Sequence, residues 1–472
     1  MDAKILLITT SFEEISKLTG AKTSEEMHYP IGLAYLHAYL KSKGHHTKML
    51  CLNHTSYEDC FKKLIETVKE FSPQIVGFQV LTSNRISTYN SIEHLHKNFP
   101  DIKIILGGIH ATIMYEQLIK KYPFTIVVLG EGERTMEELS KELLNKKPNF
   151  ERIDGIAYFD KKVIRTKTRE LINLDEAPFP SHELFLKNRD CACILTSRGC
   201  PMNCSFCCLN PESKRKVRFR SPKNVVDEIE YIARTFPWIK KIWIHDDSFF
   251  IDNQRVINIC DELLKRKIKM NFTCSGRMKP VSKEMIQKLE QTGFKEVLLG
   301  LESGSERILK SCHKGITPED VINTFRLFSK SNISVKIFLI VGLPGETIYT
   351  INETINLVRR IQKIKYILMG STFNLLTIYP GTEVYEIAKE KKFIDDEYWL
   401  TDKECPIYTA ENNYEKLKYF EKHLSTNLSI YKIKTWKGFL PQIVMVPYAL
   451  KYFLKKKKSW KKIKIVLRDF FK

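Results

Sequence analysis

The chain has 472 residues, 43% of them hydrophobic and 28% charged; that length exceeds what one hydrophobic core serves, so two or three domains are expected and a disordered chain is excluded. Its 76 Lys/Arg outnumber its 55 Asp/Glu, a net charge of +21, but ten of those basic residues stand with one acid, Asp469, between Ala449 and Lys472. The remainder is only moderately basic, which argues for a local electrostatic device and against a nucleic-acid-binding body.

Met1-Asp2-Ala3-Lys4 runs straight into an apolar strand. Twelve scattered cysteines with no secretory leader point to a reducing cytoplasm. Between residues 1 and 150, short apolar strands alternate with amphipathic helices, the pattern of a parallel sheet covered on both faces. Strands are expected at Lys4–Thr9, Lys48–Leu52, Ile75–Val80, Lys103–Leu106 and Thr125–Leu129. Leu33, Leu36 and Leu40 share one helical face, and Gly44 suits its cap. Five such strands suggest a flavodoxin-like or Rossmann-like sheet whose ligand lies beyond the carboxyl ends of the strands. Small residues gather there: Gly107-Gly108-Ile109-His110-Ala111-Thr112 after strand four and Gly130-Glu131-Gly132-Glu133 after strand five. Glycines at such ends let backbone approach a large flat ligand.

Residues 151–187, with Asn173-Leu174-Asp175-Glu176-Ala177-Pro178-Phe179-Pro180, read as a proline-interrupted linker. From 188 to 405 strand and helix repeat about six times, the strands ending at Thr196, Trp243–His245, Phe272–Ser275, Val297–Leu301, Ile337–Val341 and Phe373–Thr377. That repeat predicts a partial (β/α)6 barrel with its chemistry at the carboxyl ends.

Cys200, Cys204 and Cys207 stand in Arg198-Gly199-Cys200-Pro201-Met202-Asn203-Cys204-Ser205-Phe206-Cys207. Three thiolates on one loop can hold three irons of a [4Fe–4S] cube and leave the fourth open to a reacting ligand. Structural zinc asks for four ligands in two pairs, and no second pair lies nearby. Cys208 reads as a neighbour of this set. Further polar groups follow the later strands. Asp246 and Asp247 suit a helix N-cap; Arg277 would fork onto a carboxylate or lie on the surface. Glu302, in Gly300-Leu301-Glu302-Ser303-Gly304-Ser305, leaves an apolar strand and needs a partner, either a ligand or Arg277. Gly342-Leu343-Pro344-Gly345-Glu346 and Tyr379-Pro380-Gly381-Thr382 follow strands five and six; Glu346 suits a cap and Tyr379 faces substrate or packs. His110, His245 and His313 lack ligand spacing and read as satisfied or exposed.

The C-x3-C-x2-C motif, with Tyr29-Pro30-Ile31-Gly32-Leu33, the Gly107–Thr112 and Gly130–Thr135 phrases and the strand-end motifs, resembles the radical S-adenosylmethionine (SAM) family that carries a cobalamin (B12)-binding domain. The resemblance spans about residues 1–405. It implies an α/β fold: a flavodoxin/Rossmann-like cobalamin-binding domain at 1–150, a radical SAM partial (β/α)6 barrel at 188–405, and a helical C-terminal region at 406–472. It implies an enzyme with a [4Fe–4S] cluster on Cys200, Cys204 and Cys207, SAM and cobalamin. SAM would be held by Asp246, Asp247, Arg277, Glu302, Ser303, Gly342 and Pro344. Cobalamin would be held by Gly107, Gly108, His110, Gly130, Glu131 and Gly132, and Tyr379 would face substrate. One departure stands out: the D-x-H-x-x-G motif that ligates cobalt in other cobalamin proteins is replaced by Thr9-Thr10-Ser11-Phe12-Glu13-Glu14. The implied reaction is reductive cleavage of SAM to a 5′-deoxyadenosyl radical, with methylation of an unactivated carbon or of phosphorus as the first expectation. Cyclisation, rearrangement or carbon–carbon coupling is the alternative, and a non-catalytic corrinoid carrier or sensor a third reading. A flavodoxin or ferredoxin would supply the electron.

Phe439–Leu454 is apolar but interrupted by Pro441, Pro447 and Lys451, short of a membrane span. Beyond it Trp460, Ile463, Leu467 and Phe470 recur at helical spacing among lysines. Such a helix would lie on the anionic inner face of the membrane, through residues 439–472, or dock on the barrel. A peripheral enzyme acting on a small-molecule, hydrophobic or lipid-like substrate is the expectation that goes with the first outcome.

Overall fold

The computed structural model describes residues 2–12, 30–208, 215–365, 367 and 373–434. The expected tail helix at 439–472 lies outside them, as do Tyr29, Glu13 and Glu14 of the motifs quoted above.

The first sheet is built on β1 (Lys4–Thr9), β2 (His46–Cys51), β3 (Ile75–Gln79), β4 (Lys103–Gly107) and β5 (Thr125–Val128). All five run parallel in the order β2-β1-β3-β4-β5, the flavodoxin-like arrangement. β1 is buried from Ile5 onward, as a strand covered on both faces must be. The helices between strands are started by their own side chains: Ser56 Oγ accepts the Asp59 N–H at 3.2 Å at the head of Tyr57–Phe71.

The sheet is larger than expected. Residues 156–165, placed in the linker on sequence, form β6 (Ile156–Asp160) and β7 (Lys162–Arg165), an antiparallel hairpin that extends the same sheet from β5. Alternating Ile156, Tyr158 and Ile164 cover the apolar layer beneath the sheet, a pull the proline pattern around residue 178 did not reveal.

The second sheet has β8 (Cys191–Ile194), β11 (Lys241–Ile244), β12 (Asn271–Gly276), β13 (Phe294–Glu302), β14 (Ser334–Val341) and β15 (Phe373–Leu375), six parallel strands in chain order. Between β8 and β11 stands a small antiparallel pair, β9 (Ser197–Arg198) and β10 (Arg218–Phe219). Along β14, Val335, Ile337, Leu339 and Val341 are buried against the outer helices, so Lys336, Phe338 and Ile340 face inward. The outer helices again carry caps: Ser221 and Pro222 start Pro222–Thr235, and Thr317 with Asp320 forms a reciprocal box. The C-terminal helix Tyr414–Lys434 closes the barrel side with Leu417, Phe420, Leu424 and Leu428 in its core. No helix among the described residues is long and apolar enough to cross a membrane.

Candidate functional site: a glycine-rimmed cavity facing a cysteine loop

At the carboxyl ends of the first sheet lies a cavity of about 290 Å³. Its floor is apolar, with Leu7, Leu33, Ile105, Val128 and Met136, and its rim is bare of side chains at Gly107, Gly108, Gly130 and Gly132. Gly108 sits at φ 97°, and a Cβ there would meet Val80 O at 2.8 Å, so the backbone comes as near as it can. A large flat group with an apolar appendage fits this cradle, as cobalamin requires. Glu131 also lines it, together with Leu195 and Arg198 from the second domain.

His110 does not line the cavity. Its ring is fully buried; Nδ1 lies 3.0 Å from Thr82 Oγ1 and Nε2 lies 2.9 Å from Tyr89 Oη. Burial, with the Arg85 charge beside it, lowers its pKa to about 3. It is a core histidine with both nitrogens engaged.

The three motif thiols share the loop after β9. Cys204 is 8% exposed, and its sulfur lies 3.9 Å from Arg277 Nη1. Burial raises the Cys207 thiol pKa to about 11, and the Cys204 and Cys200 thiols add to the rise. No three His, Cys, Asp or Glu among the described residues converge as a single metal ion would need. A cube spreads its thiolates over separate corners, and three soft sulfurs on one loop suit it. Cys208 turns away, its sulfur 3.1 Å from Pro380 O.

The strand-end residues divide. Asp246 lies on the outer face with Ile242 and Ile244 and accepts four hydrogen bonds: Thr196 N at 2.6 Å, Ser197 N at 3.1 Å, Ser197 Oγ at 2.6 Å and Thr196 Oγ1. It braces the entry to the cysteine loop and has no free lone pair for a SAM ammonium. Nor does it cap a helix; Asp252 does that. Asp247 faces the loop instead, accepting Gly199 N–H at 3.1 Å, with burial raising its carboxyl pKa.

Glu302 ends β13 at φ 65°, where the register with β14 shifts. Its partner is Lys314, Nζ to Oε1 at 2.8 Å, not Arg277; both groups are buried. The pair folds over Gly300, where a Cβ would stand 2.5 Å from the carboxylate and 2.8 Å from the ammonium. Arg277 donates to Lys314 O. Lys314 carries no motif, so only the demand of a buried carboxylate for a cation pointed to it, and that demand did not choose among basic residues. Ser303 is buried, its Oγ 3.3 Å from Thr354 Oγ1 and accepting Ser305 N–H. Glu346 accepts Gly342 N–H at 2.5 Å, and burial raises its pKa to about 7. It closes the Gly342–Pro344 turn while Thr347 caps the next helix. Tyr379 is half-buried against the core layer shared with the first domain.

His245, read as satisfied or exposed, is neither. Its Nε2 is buried with no hydrogen-bond partner, its ring lies 4.6 Å from Trp243, and burial lowers its pKa to about 4.

Two family profiles match the chain, the radical SAM superfamily over residues 194–358 and the B12 binding domain over residues 18–140. An uncharacterized methyltransferase of Pyrococcus horikoshii is 29% identical over 427 residues, 88% of each chain. An anaerobic magnesium-protoporphyrin IX monomethyl ester cyclase of Rubrivivax gelatinosus is 30% identical over 355 residues, 70% of this chain and 62% of that one. The fold matches OxsB, a cobalamin-dependent SAM radical enzyme solved with aqua-cobalamin and SAM bound, at TM-score 0.72 and 19% identity over 99% of this chain and 75% of that one. The donor sets described above fit a [4Fe–4S] cluster, SAM and cobalamin, and these are the cofactors of the chain. The chain is an enzyme of the radical SAM family that carries a cobalamin-binding domain.

Proposed function

We propose that the protein methylates an unactivated carbon of a hydrophobic or lipid-like small molecule. One observation supports this reading: the glycine-rimmed cavity is lined also by Leu195 and Arg198, which run directly into the cysteine loop. A corrinoid in the cavity and SAM at the loop would therefore address one shared space. When bound, the cluster supplies the electron that cleaves SAM to methionine and a 5′-deoxyadenosyl radical, and the corrinoid supplies the transferable methyl group.

The residues of the chain bind and orient. Cys200, Cys204 and Cys207 would anchor three corners of the cube and leave the fourth to the amino and carboxylate groups of SAM. Glu302 would accept hydrogen bonds from SAM, with Lys314 balancing its charge before the ligand arrives; Ser303 shapes that strand end. Arg277 beside Cys204 would face the carboxylate, and the Gly342–Pro344 turn the adenine. Asp247 holds Gly199 and so the start of the loop. Trp243, Phe338 and Ile340 add apolar area to the inward face of the barrel, where Lys336 is paired with Glu296 at 2.8 Å, and would favour an apolar substrate. His245 offers a buried ring nitrogen with no hydrogen-bond partner, and Tyr379 follows β15 by four residues. A flavodoxin or ferredoxin would deliver the electron, and residues 439–472 would keep the enzyme at the cytoplasmic membrane face.

A second reading, radical cyclisation, rearrangement or carbon–carbon coupling, draws support from the similarity to a cyclase. Anaerobically reconstituted full-length protein, a chemical reductant, SAM deuterated at its methyl group and a lipid extract separate the two. Deuterated methyl in an extracted lipid is expected. Deoxyadenosine formation with a changed product that carries no deuterium would overturn methylation.

A further inference from the structure

The cysteine loop has a neck. The chain enters it at Arg198 on β9 and leaves it at Arg218 on β10, and these two residues face each other in antiparallel register. Gly199, at φ 93°, presses on the returning strand so closely that a Cβ would stand 2.3 Å from Lys216 O. Both arginines turn to the other domain. Glu131 Oε2 lies 3.2 Å from Arg198 Nη1, Glu131 Oε1 meets Arg218 Nη2, and Glu133 Oε1 lies 2.7 Å from Arg198 Nη2. The Arg198 guanidinium also covers the Tyr35 ring, 5.0 Å from its centroid. Tyr35 in turn accepts from Arg220, which pairs with Glu228, itself 2.7 Å from His182 Nε2.

We propose that Arg198, Arg218, Glu131 and Glu133 form an electrostatic neck that positions the cysteine loop against the corrinoid, so that each cofactor's binding depends on the other. Three of these residues have two duties. Glu131, Glu133 and Arg198 line the cavity and also hold the neck, so a corrinoid held there would lie beside the same carboxylates that grip both strands of the loop. A half-buried carboxylate shared by two guanidinium groups couples their positions, so its displacement would pull on both partners. Arg198 is two residues ahead of Cys200, so a displacement at the rim reaches the first thiol through a single intervening glycine. These are positioning residues; none is placed on a reacting atom. The inference rests on the two cofactors and on no particular substrate or reaction.

Coupling of this kind is reciprocal and can be read from either site. Hydroxocobalamin is titrated spectrophotometrically into full-length protein with its cluster reconstituted and with its cluster removed, and the reduced cluster is examined by electron paramagnetic resonance with and without the corrinoid. In the native protein the corrinoid affinity should differ about fivefold or more between the two forms, and the cluster signal should shift on loading. Glu131→Gln should bring the two affinities together and abolish the shift while iron and sulfide content stays at the native level. Arg218→Lys keeps the charge but loses the fork; it should weaken the dependence in part and serves if Glu131→Gln does not fold. Equal affinities in the native protein, or full dependence surviving in both variants, would overturn the proposal.

Discussion

Single residues decide how the buried charges here divide between structure and chemistry. The Lys314–Glu302 pair is sealed from water and folded over Gly300, so removal of one member leaves the other charged and alone. Lys314→Met should cost about 3–5 kcal/mol in urea unfolding of the anaerobic protein. Lys314→Met with Glu302→Leu should recover most of that stability yet show no SAM binding by equilibrium dialysis. If the double variant binds SAM as the native chain does, Glu302 has no part in the ligand site. His110 makes a pH prediction. Its folded pKa is lowered to about 3, below the ordinary value of about 6.5, so the unfolded chain takes up a proton that the folded chain refuses. Its contribution is complete above about pH 6.5 and is lost as pH falls toward 3. A chain with His110→Asn should therefore lose stability less steeply between pH 6 and 4 than the native one. Equal slopes would show that the ring protonates freely in the fold. The sequence made the cysteine triad legible because three thiols at fixed spacing have few other uses. It could not separate Asp246 from Asp247, since their opposite roles follow from which face of β11 each one leaves.

At the scale of elements, parallel strands and their helices were legible because each repeats an apolar run bounded by caps. β1, β3 and β4 begin at the residues expected for them. The hairpin β6–β7 was hidden for a physical reason: its burial is paid on one edge only, and Phe159, Asp160, Lys162 and Arg165 are exposed among its nine residues. Glycines at the strand ends were legible as a group, but their individual roles come from what stands opposite each one. Gly108→Ala tests one of them. Both the positive φ and the 2.8 Å approach to Val80 O oppose a methyl group there, so the β4 turn must shift. Corrinoid affinity should fall at least about tenfold, some 1.4 kcal/mol, in spectrophotometric titration, while the cluster content measured by iron and sulfide stays unchanged. A Gly107→Ala control, where the nearest atom is Val128 Cβ at 4.0 Å, should bind nearly as the native chain does. Similar losses in both would mean that crowding of the ligand, and not strain of the turn, governs the rim.

In the whole molecule the two sheets are held together by more than the neck. After β15 the chain leaves the barrel and packs residues 376–408 on the helices of the first domain, in one apolar layer with Tyr89, Leu118 and Tyr122. Trp399 is its centre: fully buried, 6.1 Å from the His110 ring and 5.2 Å from the Arg85 guanidinium, with Tyr385 and Tyr398 against its edges. Arg85 also donates to Lys403 O, and Lys121 Nζ reaches Leu400 O at 2.8 Å. This strap explains why the sequence boundary at 405 marks the end of a motif rather than the end of a contact. It also makes the two domains depend on one another for stability, because neither can open without uncovering the same layer. Trp399→Ala removes the largest side chain in it and should cost about 3–5 kcal/mol. The loss should fall on the junction, so calorimetry of the anaerobic protein should resolve two transitions where the native chain gives one, with the first domain melting first. Loaded corrinoid should narrow the gap between them, because most of its cavity is built by the folded first domain, where binding adds stability by mass action. One unsplit transition with an unchanged midpoint would show that the strap lies on the first domain without joining it to the barrel.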